Sequence, residues 1–169
     1  TAEGKPLIGR SYEFGEKSED MRLCTMKVDG KYAFIGSSVL LFGFTEGMNE
    51  HGLVVTMSAG GHPVGAVQGM RHPIQDGFQF WFVIRAILEQ CKTVDEALGL
   101  IQQIPTCGNP ILIVTEKSGQ AALVEIFGAH KAVKRIDAQS DKQWLFATNH
   151  FTLPEMQPYR DPIMAHTQN

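Results

Sequence analysis

The sequence predicts an α+β domain built from antiparallel sheets, with a pair of helices packed on one of them. Short strand-like segments bounded by turn residues occupy the chain before residue 60 and again after residue 110. The stretch between them changes to the three- and four-residue periodicity of helices. Strands and helices therefore do not alternate along the chain, which argues against a doubly wound parallel sheet. Two sheets sandwiched between helix layers also fit, if a second helix pair follows Asn169.

The strands of the first part are predicted from alternating side chains and from β-branched content. Asp29-Gly30 is predicted to form a hairpin turn whose backbone requires a positive φ. Asn49 and Gly52 are good turn formers, and a turn is the main interpretation for them. The glycine-rich stretch 60–73 is predicted as a loop. The predicted strands cover residues 7–14, 22–28, 32–35, 39–44 and 53–57.

Two consecutive helices are predicted in the middle of the chain. Apolar residues recur at helical spacing over residues 75–92. Thr93 and Glu96 form a capping box, in which the threonine hydroxyl satisfies an orphan amide and the glutamate reaches back. The second helix is predicted to run from this box through Ile104, because Pro105 stops it.

Further strands follow the helices. Residues 111–115 and 122–127 are predicted to form a hairpin around the turn Lys117-Ser118-Gly119. Strands are also predicted at 131–136 and 144–148, whereas residues 154–169 give no confident element. Because no linker or repeat divides the chain, residues 1–169 are interpreted as one domain.

Composition limits the class of protein. The chain has 169 residues, of which 43% are hydrophobic, and a net charge of −3. This is typical of a globular domain and gives no reason to expect nucleic acid as a partner. No apolar run is long enough for a membrane span. Three sparse cysteines argue against a disulfide framework and favour a reducing compartment, and Cys91 is interpreted as a buried structural thiol.

Several kinds of chemistry lack their sequence patterns. The six histidines show no metal-binding spacing, so a metal site at His62 and His72 in the loop is a minor possibility. A G-x-S-x-G elbow, a phosphate-binding Gly-Lys-Ser loop and a dinucleotide fingerprint are not present. No metal and no cofactor are therefore expected.

What remains is a set of short motifs, each weak by itself. They are the segments 9–14 (GRSYEF), 47–53 (GMNEHGL), 85–97 across the two helices, 109–112 (NPIL) with Val124-Glu125 on the return strand, and 148–151 (TNHF).

Together and in this order, the motifs resemble those of the linear-amide cysteine hydrolases. This group of N-terminal-nucleophile (Ntn) hydrolases includes choloylglycine hydrolases, penicillin V acylases and the isopenicillin-N acyltransferase type. The segments GMNEHGL and TNHF are most similar to the acyltransferase-like branch. The resemblance extends from Thr1 to about Phe151. It implies an αββα sandwich of antiparallel sheets and helix layers, incomplete in this chain at both ends.

The resemblance also implies roles for individual residues. In the family the mature chain begins with the nucleophilic cysteine, here expected a few residues before Thr1, so this chain alone is expected to be inactive. A terminal cysteine offers both a thiolate and an α-amine that moves the proton. Arg10 matches the arginine beside the thiol, where a cation favours the thiolate. Glu13 matches the acidic residue, usually aspartate, that positions the α-amine.

The oxyanion site is implied in the same way. Asn149 matches the asparagine whose amide donates to the tetrahedral intermediate, and a backbone N–H near Ala59 matches the second donor. A further family arginine would follow Asn169. The loop after the strand is expected to border an apolar substrate pocket, which suggests a fatty or aromatic acyl group; the residues assigned to this pocket are Ser58, Gly60, Val64 and Val67.

The implied function is hydrolysis or acyl transfer at a linear non-peptide amide, through a thioester, with a small-molecule amide or acyl substrate. A homo-oligomer is compatible with it. Two other hypotheses stay open: Thr1 itself as the nucleophile, or a member of the fold that only binds a ligand. Singly, Arg10 and Glu13 could form a surface pair and Asn149 could cap a strand; the joint pattern favours the catalytic interpretation.

Overall fold

The computed structural model describes residues 5–12, 21–39, 43–65 and 70–161. Over these residues the chain forms a seven-stranded antiparallel sheet whose strands lie side by side in sequence order. A helix pair is inserted between the fourth and fifth strands. The elements are β1 (Arg22–Met26), β2 (Phe34–Val39), β3 (Gly43–Asn49), β4 (Val54–Ala59), α1 (Phe80–Gln90), α2 (Val94–Gln103), β5 (Pro110–Thr115), β6 (Ala121–Phe127), β7 (His130–Ile136) and a short 3-10 helix (Pro154–Tyr159).

The predicted α+β class with an antiparallel sheet and packed helices is confirmed. In the described part of the chain there is one sheet with one helix pair. The hairpin turn at Asp29-Gly30 is confirmed, since Gly30 has φ 73° and the Lys31 N–H donates to the Val28 carbonyl at 3.1 Å. None of the helices in the described ranges has the length and apolar character needed to cross a membrane.

The helices cover one face of the sheet. Val83, Ile84, Ile87 and Leu88 of α1 are buried against it. Helix and sheet approach closely at Gly47 of β3, because a Cβ there would lie 2.7 Å from Leu88 Cδ1. Side chains alternate across a strand, so β4 turns every second residue to this core and the others to the opposite face. The strand residues in this core include Phe34, Phe44, Val55, Met57, Leu112, Val114, Ala122, Val124 and Ile126, and Leu53 joins them from just before β4.

The predicted capping box begins α2. The Glu96 N–H donates to Thr93 Oγ1 at 3.2 Å. The Glu96 carboxylate accepts the Lys92 N–H at 2.6 Å, one residue before the expected Thr93 N–H. At the other end, Lys131 Nζ donates to the carbonyls of Ile101 and Ile104 at 2.6 and 3.0 Å, where a cation complements the helix dipole.

The opposite face of the sheet is covered in part by the chain after β7. Phe151, Leu153 and Met156 pack against Ile111 and Leu123 in a second core. This second core covers the β5–β7 side of the face. The β3–β4 side carries Arg10, as described below.

Two of the predicted strands are wrong, and a third is only partly matched. Residues 7–12 of the predicted strand 7–14 lie outside the sheet, because Arg10 contacts the sheet with its side chain and the backbone forms no ladder. Residues 144–148 form no ladder with the described chain, although their side chains alternate. Of the strand predicted at 39–44, Val39 ends β2 and residues 43 and 44 begin β3, whereas residues 40–42 lie outside the described residues. β3 continues to Asn49 because buried hydrogen bonds accommodate polar residues there that had indicated a turn.

Asn49 is the clearest such residue. It is buried, and its Nδ2 donates to the carbonyls of Leu88 and Cys91 at 3.0 and 2.7 Å. Its Oδ1 accepts the N–H groups of His51 and Leu53, both at 3.1 Å. Asn49 therefore makes the predicted turn and also attaches that turn to the C-terminal end of α1.

Replacing Asn49 with alanine is expected to lower the free energy of unfolding of the full protein by about 2–4 kcal/mol, because buried backbone groups lose their partners. Urea unfolding measures this change. Gln143 serves as the matched amide, since it is exposed and its hydrogen bond within the described residues is local, to the Ala138 carbonyl at 2.9 Å. Gln143→Ala is expected to cost less than about 0.5 kcal/mol. Equal losses in the two variants would contradict the structural role of Asn49.

Candidate active site

Arg10 lies beside β3 and β4, where it reaches Glu46 on the sheet face that the helices leave uncovered. Its Nε donates to the Met57 carbonyl of β4 at 3.2 Å, and its Nη1 lies 2.5 Å from Glu46 Oε2 of β3. The guanidinium carbon is 4.7 Å from the centroid of the Tyr12 ring. With 17% of its side chain exposed, Arg10 is also in contact with the Met57 side chain, whose Sδ lies 4.0 Å from Nη2. The structure therefore presents a fixed cation at β3 and β4.

Glu46 is the partner that the sequence did not reveal. It is paired with Thr56 in the sheet, and both face away from the helices because Val55 and Met57 face toward them. Its side chain is only 24% exposed. The predicted acidic partner of the site, Glu13, lies outside the described residues, so its proposed role stays a prediction.

The backbone at the end of β4 is directed toward the same region. The Gly60 N–H donates to the Asn109 carbonyl at 2.7 Å, on the β5 side of the strand. The Ala59 carbonyl belongs to the same peptide and points the opposite way, toward β3. The Met57 carbonyl, two residues earlier, shares this direction. In an extended strand the N–H and C=O of one residue point to the same side, so the Ala59 N–H is directed there as well.

Asn149 contacts β4 at Ala59, the last residue of the strand. Its Nδ2 donates to the Ala59 carbonyl at 3.4 Å, although 90 residues separate the two in the chain. Since a strand rises 3.2–3.4 Å per residue, the carbonyls contacted by Asn149 and Arg10 are about 7 Å apart. The structure thus brings Arg10, Ala59 and Asn149 to one end of one strand. This agrees with the arrangement that the motifs predicted, although their catalytic roles remain a prediction.

The segment that carries Asn149 is tightly packed on both sides. Phe151 is fully buried and lies over Gly60, where a Cβ would be 2.3 Å from Phe151 Cε1. Thr148 Oγ1 is 2.8 Å from His150 Nδ1. Burial lowers the pKa of His150, as does Arg160, while Glu125 acts in the opposite direction. The imidazole is consequently neutral at pH 7 and adds no charge beside Asn149.

The residues assigned to the substrate pocket separate into two groups. Ser58 is half-buried on the face that carries Arg10, and Gly60 lies beneath Phe151. Val64 is buried in the following loop, where its backbone bridges to Arg71. Val67 lies outside the described residues. The pocket itself stays a prediction, and Ser58 and Gly60 are the members that adjoin Ala59 at the end of β4.

His62, named above as a possible metal ligand, contacts the carboxylate of Asp161. The His62 N–H donates to Asp161 Oδ2 at 3.2 Å, and its Nδ1 lies 3.9 Å from the same oxygen. Arg71 Nη1 is also within 3.7 Å of this carboxylate. Within residues 5–12, 21–39, 43–65 and 70–161, histidine, cysteine and acidic side chains form no group of three or more that could hold a metal ion.

Cys91 and Cys107 have the properties of structural thiols. Burial, with a smaller contribution from Glu96, raises the pKa of Cys91 to about 11. Burial also raises the pKa of Cys107. Both therefore remain protonated and weakly nucleophilic at neutral pH, which agrees with the interpretation of Cys91 as a core residue.

Over residues 1–168 the chain matches the family model described as acyl-coenzyme A:6-aminopenicillanic acid acyl-transferase, and it belongs to this family. The motif-based identification of the superfamily is thereby confirmed. No curated protein matches the chain.

Solved structures similar to this chain include two enzymes. Penicillin V acylase from Agrobacterium tumefaciens is 22% identical, with 62% of this chain and 33% of that chain covered and a TM-score of 0.46. The C2A mutant of conjugated bile acid hydrolase from Clostridium perfringens is 16% identical, with 62% and 36% covered and a TM-score of 0.47. The matched region is thus about a third of the length of either structure.

Proposed function

We propose that the full protein hydrolyses a small linear non-peptide amide, or transfers its acyl group, through a thioester on an N-terminal cysteine. Family membership supports an Ntn-type acyltransferase or amide hydrolase. The observation that carries the proposal is the meeting of Arg10, Asn149 and the Ala59 backbone at the end of β4. We place the nucleophile at the mature N-terminus, upstream of Thr1, and residues 1–169 within a single Ntn domain.

In the proposed reaction, the α-amine of the terminal cysteine takes the thiol proton and the thiolate attacks the amide carbonyl carbon. The carbonyl oxygen becomes an oxyanion, which Asn149 Nδ2–H and the Ala59 N–H stabilise. Collapse breaks the C–N bond, and the departing amine takes the proton held by the α-amine. Water then hydrolyses the thioester, or an acceptor amine takes the acyl group, and the thiol is regenerated.

Arg10 has an electrostatic role in this scheme. A cation within a few ångströms of a thiol lowers the free energy of the thiolate. The contacts to Glu46 and to the Met57 carbonyl fix where that cation lies. Glu13 is proposed to position the α-amine, as the family's acidic residue does. Two preorganised oxyanion donors add stabilisation that applies only to the transition state.

Intact-mass analysis of the mature natural protein tests the proposal. We expect a terminal cysteine ahead of Thr1. Chromogenic anilides carrying phenylacetyl or straight-chain acyl groups are expected to be cleaved, and quenched samples are expected to gain the mass of one acyl group that hydroxylamine removes. A mature protein without a terminal cysteine ahead of Thr1 would contradict the proposal. Retention of an anilide without turnover would instead support the binding-only hypothesis.

A further inference from the structure

Glu125 is a fully buried acidic residue in the middle of β6. Its register partners are Ile111 on β5 and Ala132 on β7, and both belong to the second core. The carboxylate therefore lies on the sheet face that also carries Arg10 and Asn149. A carboxylate surrounded by apolar side chains is costly unless hydrogen bonds compensate for the lost water.

That compensation comes from the segment directly after Asn149. Glu125 Oε1 accepts the Thr152 N–H at 2.6 Å and the Thr152 hydroxyl at 2.7 Å. Glu125 Oε2 accepts the Leu153 N–H at 3.0 Å. The carboxylate therefore attaches two consecutive backbone amides and one side chain to the centre of the sheet.

These bonds complete the fixation of Asn149. Before them in the chain, Asn149 itself reaches the Ala59 carbonyl, and Phe151 lies over Gly60. After them, Leu153 and Met156 enter the second core. An apolar residue at position 125 would fill the same space, but it would leave both backbone amides without acceptors. The geometry thus indicates that the carboxylate fixes the backbone path of residues 149–153.

We infer that Glu125 is a positioning residue for the oxyanion donor Asn149. The inference rests on the proposed function. Glu125 does not contact the reacting atoms in this scheme and acts only through the segment that it holds. Because displacement of a donor by about 1 Å costs about 100-fold in rate, a loosened segment is expected to lower kcat rather than to raise KM.

The test uses Glu125→Gln in the full mature protein. Glutamine keeps the shape but directs an NH2 group at one of the backbone donors. We expect kcat for the anilide to fall about 10- to 100-fold with little change in KM. Thr152→Val removes only the hydroxyl bond and is expected to have a smaller effect. Asn49→Ala is the control, since it removes a buried polar group on the helix side of the sheet and should leave kcat of the folded enzyme unchanged.

A double variant separates positioning from general structural damage. If Glu125 acts through Asn149, then Glu125→Gln adds little to the loss already caused by Asn149→Ala. Independent, multiplying losses would overturn the inference, as would an unchanged kcat in Glu125→Gln or an equal kcat loss in Asn49→Ala.

If the proposed function itself is wrong, the experiments give a different result from the one expected if only the inference about Glu125 is wrong. A wild-type protein that cleaves no anilide and forms no acyl adduct would overturn both ideas. Hydrogen exchange at the Thr152 and Leu153 amides would still rise in Glu125→Gln in that case. An active wild type with unaltered Glu125→Gln kinetics would overturn the inference alone.

Discussion

Asn149→Ala is expected to lower kcat of the full enzyme by about 10²- to 10³-fold, or about 2.7–4 kcal/mol, while leaving stability almost unchanged. Asn149 is exposed, and its single hydrogen bond to the described chain is long, 3.4 Å to the Ala59 carbonyl. A surface change of this kind alters the free energy of unfolding by less than about 0.5 kcal/mol. The loss of rate reflects a donor that acts in the transition state.

A comparison with Asn49→Ala distinguishes a loss of catalysis from a loss of stability. Both substitutions remove an asparagine amide, but the side chain of the buried Asn49 makes four hydrogen bonds. We expect Asn49→Ala to lose stability and keep kcat, and Asn149→Ala to do the reverse. Steady-state kinetics and urea unfolding on the same preparations measure both. A kcat loss in Asn149→Ala that follows a loss of folded protein would contradict an oxyanion role.

Arg10→Met is expected to reduce kcat/KM by about 10- to 100-fold near neutral pH, because an opposite charge close by shifts a pKa by about 1–3 units. In the proposed site the guanidinium lowers the pKa of the nucleophilic thiol. Its removal therefore raises that pKa, so the deficit should be largest at low pH and shrink as pH rises. The measurement is the position of the acidic limb of the pH–rate profile.

Arg85→Met is the matched control for this variant. Arg85 makes an ion pair with Glu89 at 2.7 Å within α1, on the opposite side of the sheet, so the same change there should leave the profile unmoved. Glu46→Gln keeps Arg10 but removes its carboxylate partner at 2.5 Å. That variant should retain far more activity than Arg10→Met. An unmoved acidic limb in Arg10→Met would show that the cation has no effect on the nucleophile.

The helices and most strands could be predicted because their signals are local. The capping box at Thr93 and the turn at Gly30 act within a few residues of chain, and both were found as expected. The strand around Asn49 was misplaced because its polar residues are satisfied by distant groups, such as the Leu88 carbonyl in α1. Alternation at 144–148 predicted a strand, but alternation alone does not supply a partner strand.

In the candidate site, too, some residues could be predicted from the sequence and others could not. Arg10, Ala59 and Asn149 could be proposed because motif order carries them, and the structure places them together. The position of Glu46 gave no such signal, and Glu125 belonged to one of the motifs but had no role assigned to it. A glutamate within a strand indicates a solvated face in a sequence, and only the fold shows that one meets a guanidinium and the other three donors.

The order of the strands determines which strand pairings must join distant parts of the chain during folding. Pairs such as β5–β6 and β6–β7 close short segments, whose entropic cost is small. The β4–β5 pair instead encloses both helices, so it carries a larger closure cost and raises the contact order of the fold. This pairing brings Asn109 and Pro110 to the end of β4. The backbone of the candidate site is thus assembled by the slowest kind of contact in the sheet.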